Sequence, residues 1–106
     1  MSHHANVARR QVEVINHLGL HMRPALKFVE LALKHQSEIR VHYNGNDFNG
    51  KSILELTSLA AERGARLDLE ARGPDAAEAV EALAKLVLAR FHEDDEDAST
   101  PRSPGT

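Results

Sequence analysis

The 106-residue chain contains no cysteine, which rules out disulfides and thiolate-held metals and is compatible with a reducing cytoplasm. Its core must therefore hold by packing alone. It also lacks any apolar run approaching the length of a membrane span, and the opening residues Met1-Ser2-His3-His4-Ala5-Asn6 contain no apolar signal-peptide core. A cytoplasmic protein without membrane insertion is expected. A basic surplus is missing too: 13 Lys and Arg against 16 Asp and Glu give a net charge of -3. Much of the acidity sits in the run Glu93-Asp94-Asp95-Glu96-Asp97, so the remainder is close to neutral and offers no footprint for nucleic acid. The length suits one small domain with a single two-layer core.

Residues 1–9 show no periodicity and are expected to form a loose leader, in which His3 and His4 lack further ligands and receive no role. The domain is expected over residues 10–92. Residues 93–106 combine the acidic run with Ser, Thr, Pro and Gly and are expected to be a disordered tail. Within the domain, Val12 and Val14 alternate with Gln11 and Glu13, which predicts a strand over 11–16 with one wet face. Helical spacing of Ala25, Leu26, Phe28, Val29, Ala32 and Leu33, with Lys27, Glu30 and Lys34 opposite, predicts an amphipathic helix over 22–35. A second strand alternates from Glu38 to Tyr43, the turn Asn44-Gly45-Asn46 follows, and Asp47-Phe48-Asn49 is long enough for a short edge strand.

Ser52 and Glu55 fit a capping box, each side chain satisfying an early N–H of a short helix over 53–60. Gly64 is the expected exit. Ala65, Leu67, Leu69 and Ala71 then alternate with Arg66, Asp68 and Glu70, giving a fourth strand whose outward face is wholly charged. Gly73-Pro74-Asp75 stops that strand, and Asp75 with Glu78 suggests another capping pair. The last helix carries a stripe of Ala76, Ala79, Val80, Leu83, Val87 and Phe91, with Glu78, Glu81 and Lys85 facing water. Strands with a single apolar face require all helices to pack on that face. The fold class is therefore α+β, an open-faced β-sandwich with the element order βαββαβα.

The chain is organised around Gly19-Leu20-His21-Met22-Arg23-Pro24-Ala25, where the first strand stops and the first helix begins. Gly19 tolerates a turn and Pro24 suits the first turn of a helix, so His21 falls at or just before the first helical residue. There the unpaired N–H groups, the positive end of the helix and the Arg23 guanidinium would together stabilise a phosphate on or beside His21. Imidazole is a good nucleophile and leaving group near neutral pH. Reversible phosphorylation of His21 is the chemistry this arrangement suits. His17, four residues earlier, is separated from His21 by Gly19, and reads as a solvent-facing loop residue and not as half of a metal pair. No metal site is expected.

The heptapeptide, followed about thirty residues later by Gly50-Lys51-Ser52-Ile53-Leu54, resembles HPr, the histidine-containing phosphocarrier family of the phosphoenolpyruvate-dependent phosphotransferase system. The resemblance runs from about Gln11 to Phe91. It implies an antiparallel sheet in the order 1-4-2-3 with three helices on one face. It also implies a relay: enzyme I passes a phosphoryl group to Nδ1 of His21, Arg23 neutralises the phosphoryl oxygens, and an EIIA-type domain takes the group away. Such a carrier is a monomer that needs no cofactor and turns nothing over on its own, so it is not an enzyme.

Ser52 stands where many HPr proteins carry a serine phosphorylated by HPr kinase/phosphorylase, although it would cap its helix in either case. Met22, Ile53, Leu54 and Glu55 fall near the implied docking surface, and two of them depart from the family pattern. Met22 replaces a residue that is commonly small, and Glu55 one that is often Gly or Lys. Two other readings are a nitrogen-branch carrier, whose output is regulation, and an HPr-like adaptor that binds partners without passing phosphate. The intact His21 and Arg23 argue against the adaptor.

Overall fold

Val12, Leu67, Leu69, Ala71, Ile39 and Val41 are all buried, whereas their neighbours along the same strands are polar or charged. This period of two confines the apolar side chains to one face of a four-stranded antiparallel sheet. The computed structural model describes residues 6–92, with strands β1 (Val7–Glu13), β2 (Glu38–Tyr43), β3 (Asn46–Asn49) and β4 (Arg66–Arg72). They are ordered β1-β4-β2-β3, as expected. Helices α1 (Met22–Ala32), α2 (Ile53–Leu59) and α3 (Ala76–Leu88) complete the order βαββαβα. Their apolar stripes join the buried strand residues in one core, in which Phe28, Leu56, Leu83 and Phe91 are the largest of the fully buried side chains from the helical layer.

Several boundaries differ from expectation for identifiable reasons. β1 begins at Val7, inside the expected leader, because its backbone pairs with β4 from Val7↔Arg72 onward. Only Val12 of this strand is fully buried, so alternation could not reveal its first half. It ends at Glu13, although Val14 stays joined to the segment before β4 through Val14 N–H to the Ala65 carbonyl (2.8 Å) and Gly64 N–H to the Val14 carbonyl (2.7 Å). α1 stops at Ala32 and α2 at Leu59, where Ala60 adopts a left-handed conformation (φ 57°) and makes the exit expected of Gly64. Residues 1–5, with His3 and His4, and the acidic tail 93–106 lie outside the described residues.

Side-chain placement departs from the sequence reading at four points. Leu26 and Leu33 are 44% and 60% exposed, because they share the outer arc of α1 with Met22 and not the arc of Ala25, Phe28, Val29 and Ala32. Lys27 is half-buried, its Nζ donating to the Phe91 carbonyl (2.8 Å). Glu70, expected on the open face, is buried beneath His42 Nε2 (2.8 Å), Arg72 (2.7 Å) and Arg9 (3.6 Å). Asp75 makes no side-chain cap on α3. Its carboxylate instead accepts the N–H groups of Gln36 (3.0 Å) and Ser37 (2.9 Å) and the Ser37 hydroxyl, tying the start of α3 to the start of β2.

These contacts generate two expectations. The His42 and Arg72 hydrogen bonds hold the Glu70 carboxyl down at about 2 from an ordinary 4.5, and the Ser37 hydroxyl with the Gln36 N–H holds Asp75 at about 2 from 3.8. The unfolded chain therefore takes up protons first on acidification. The stability these groups contribute is complete above about pH 5 and is lost as the pH falls towards about 2. Urea midpoints measured across this range will decline for the native chain, and Asp75→Asn will flatten the decline. Phe91→Ala, which empties a fully buried site, will cost about 3–5 kcal/mol in denaturant unfolding.

Candidate functional site

The loop from β1 into α1 is shaped by Asn16 and Gly19. Asn16 is fully buried; its Nδ2 donates to the Gly19 carbonyl (2.6 Å), and its own carbonyl accepts the Gly19 N–H (3.1 Å). Gly19 takes a left-handed φ of 74°, and a Cβ there would stand 2.6 Å from the Ala61 carbonyl oxygen and 2.8 Å from Glu62 Cα. Glycine is thus required twice over, by its dihedral and by a backbone passing too close for any side chain. The next residue seals the approach, Leu20 N–H donating to the Ala61 carbonyl (2.8 Å). The histidine that follows is held by a rigid backbone clasp.

His21 is the N-cap of α1, with extended backbone (φ -91°, ψ -167°), and its carbonyl accepts the Ala25 N–H (2.9 Å). Its side chain does not cap the helix. The first-turn N–H groups of Met22 and Arg23 consequently have no acceptor within the helix, and Pro24 has none to offer. The residue is half-buried, and its Nε2 atom is shielded from solvent. Arg23 is exposed and is not ion-paired among the described residues. Met22, 61% exposed, continues outward into Leu26 and Leu33 as an apolar stripe along the helix.

The second motif is built differently. Gly50 N–H donates to the Ile39 carbonyl (2.8 Å), and a Cβ on Gly50 would collide with the Ile39 side chain at 2.4 Å. Lys51 reaches across to the chain leaving α1, its Nζ donating to the His35 carbonyl (2.7 Å). Ser52 is the N-cap of α2, its Oγ accepting the Glu55 N–H (3.2 Å). The reciprocal half of the expected capping box does not form, because the Glu55 carboxylate accepts the Asn49 N–H (2.8 Å) while Ser52 N–H donates to the Asn49 carbonyl. Ile53 is partly buried against the core, whereas Leu54 is 78% exposed.

The two motifs do not converge. Leu20 joins the start of α1 to the end of α2, and Lys51 joins the start of α2 to the end of α1, so the helices run antiparallel. Eleven residues of helix at 1.5 Å each put Ser52 roughly 15 Å along the pair from His21. Met22 and Arg23 stand with His21; Ile53, Leu54 and Glu55 stand with Ser52. Asn16 and the Gly19–Ala61 approach are not evident from the sequence, and Lys51 stands there only as part of the second motif. An Asn three residues before a Gly is the one local turn signal that pointed to them.

No group of acidic and histidine side chains suited to a metal occurs among the described residues. No described helix is long and apolar enough to cross a membrane. The family profile described as PTS HPr component phosphorylation site matches residues 8–89. Phosphocarrier protein HPr of Neisseria meningitidis serogroup A is 44% identical over 85 residues, covering 80% of this chain and 96% of that protein. Phosphocarrier protein NPr of Proteus mirabilis is 35% identical over 86 residues, covering 80% and 96%. The crystal structure of HPr-C-His from Thermoanaerobacter tengcongensis superposes with a TM-score of 0.78 at 38% identity, covering 81% of this chain and 97% of that one. With its sheet order, its clasped N-terminal histidine and a profile match over most of its length, the chain belongs to the HPr family of phosphocarriers, proteins that carry a phosphoryl group in the phosphotransferase system and are not themselves enzymes.

Proposed function

We propose that His21 is the phosphoryl acceptor, receiving the group on Nδ1 from phospho-enzyme I and passing it to an EIIA-type domain in the cytoplasm. The observation that carries this reading is the position of His21 as a non-capping N-cap residue, half-exposed, with Nε2 turned away from solvent. The similarity to HPr assigns the attack on phosphorus to Nδ1, forming one P–N bond as the donor's P–N bond breaks. The phosphoryl oxygens meet the free N–H groups of the first turn, the positive helix end and the Arg23 guanidinium. Because a phosphohistidine is itself a good donor, the same cradle serves both halves of the relay.

Met22 and Leu54, both exposed, supply apolar docking area for the partners, Ile53 backs Leu54, and Glu55 adds a charge at the rim. Phosphorylation of Ser52 by HPr kinase/phosphorylase acts on this docking area. About two added negative charges at roughly 15 Å lie beyond the Debye length of about 8 Å, so they disturb the enzyme I interface more than the phosphoryl group on His21. The intact His21 and Arg23 favour a transferring carrier over a purely binding adaptor, and the relatives include both HPr and NPr proteins.

Purified chain incubated with enzyme I and phosphoenolpyruvate will acquire one acid-labile phosphohistidine, and His21→Ala will acquire none. Label on the alanine variant would overturn the assignment. Arg23→Ala will slow transfer about 100-fold, with folding unchanged in circular dichroism. Ser52→Asp will slow transfer from enzyme I, whereas Ser52→Ala will transfer normally and lose about 1 kcal/mol of stability with its cap. Equal transfer rates for Ser52→Asp and the native chain would remove the regulatory role.

A further inference from the structure

We propose that the open edge of β1 pairs with the same edge of a second copy of this chain, joining the two sheets into one across a two-fold axis at Gln11. The strand order leaves β1 at one margin of the sheet, with β4 as its neighbour, and β3 at the other. The margins differ: β3 has four residues, whereas β1 has seven, Val7–Glu13, with no Pro or Gly to interrupt pairing. Hydrogen bonds at both ends of β1 fix which backbone groups face out. The Asn6 carbonyl accepts the Gly73 N–H (2.8 Å), and Val14 N–H donates to the Ala65 carbonyl (2.8 Å), so the even-numbered residues turn towards β4. Backbone groups alternate sides along a strand. Val7, Arg9, Gln11 and Glu13 therefore hold their N–H and C=O groups out at the margin, where no hydrogen bond among the described residues uses them.

Charge complementarity names the occupant and the register. A two-fold axis through a sheet margin pairs the two copies of β1 antiparallel, outward residue against outward residue. Centring the pair on Arg9 or on Glu13 sets like charges opposite each other, and centring it on Arg10 or Val12 sets both charges against neutral residues. Only the register centred on Gln11 places each Arg9 opposite Glu13 of the second copy, on the open face, with the two Gln11 amides between them. Both charges are available for this: the Arg9 side chain is 71% exposed and only 3.6 Å from its nearest carboxylate, Glu70, while Glu13 is exposed and has no ion pair among the described residues. The same register brings Val7, 46% exposed, over Ile15 of the second copy. Beneath the edge, Arg10 is clamped by both Glu81 oxygens (2.8 and 2.7 Å), so it meets Val12 of the second copy with its charge already balanced. A contact one strand wide makes a weak dimer, populated at about 0.1–1 mM protein. The inference rests on the sheet and not on the role of His21.

The test follows the full chain by sedimentation velocity and by amide hydrogen exchange at low salt, from about 10 µM to about 1 mM protein. The dimer fraction is expected to rise over this range, and with it the protection of the Arg9, Gln11 and Glu13 amides, while the Arg10 and Val12 amides, bonded to β4, stay protected throughout. Arg9→Glu and Glu13→Arg each set two like-charge pairs across the axis and should weaken association about tenfold, and the double reversal Arg9→Glu with Glu13→Arg should restore it. A chain that stays monomeric at 1 mM would overturn the proposal. So would association that leaves the Arg9, Gln11 and Glu13 amides exchanging as in the monomer, or a double reversal as weak as either single one. Exchange in the native chain decides the matter even where a charge variant fails to fold.

Discussion

The approach of Gly19 to the backbone of Ala61 and Glu62 is the constraint on which the site depends. It brings two loops to within 2.6 Å of where a side chain would begin, and one hydrogen bond from Leu20 locks them together. Everything that follows in the chain inherits its position from that clasp: His21 as the N-cap, the open N–H groups of the first turn, and Arg23 on the outer side. The proposed role of His21 calls for a cradle that does not reorganise as charge arrives and leaves, which a backbone clasp would provide better than mobile side chains. Asn16 completes the clasp from within, its buried amide holding the Gly19 carbonyl.

The sheet supplies the platform beneath. One apolar face accepts all three helices, and the other carries a layer of charge in which Glu70 is sunk beneath His42, Arg72 and Arg9. A buried carboxylate among such partners is stabilised as the anion. Asp75 does similar work just after β4, joining α3 to the start of β2 through Ser37 and Gln36. Both carboxylates act in architecture and neither lies in the cradle, so the acid response of the fold and the chemistry of the histidine are separate properties.

The antiparallel packing of α1 and α2 divides the surface into two territories. His21, Met22 and Arg23 occupy one end; Ser52, Ile53, Leu54 and Glu55 occupy the other. Lys51, inside the second motif, spends its charge on the His35 carbonyl and so holds the helix pair in register. Screening removes most of any direct field between the two ends at that separation. Helix α1 presents two outward stripes, apolar through Met22, Leu26 and Leu33 and basic through Arg23 and Lys27.

Much of this was legible in the linear chain, because its signals are local. Period-two alternation located β2 to the residue and most of β4; spacing of three and four located the buried stripe of α3; Gly19 and Pro24 placed His21 at a helix start. Local signals failed where a distant neighbour decides. Val7 to Arg9 are strand only because β4 lies alongside, Leu26 and Leu33 are exposed because they lie on the arc of α1 turned away from the core, and Asp75 and Glu55 found better partners than the caps their spacing suggested. What the sequence by itself determined is the set of elements, the single wet face of the sheet and the placing of His21 and Arg23 at the start of α1, since each depends on residues within a few positions of one another. Only the tertiary structure decided how Gly19 is clasped, which way the two motif helices run and where Lys27 spends its hydrogen bond, since each is a contact between residues far apart in sequence whose energy exists only once the chain has closed on itself.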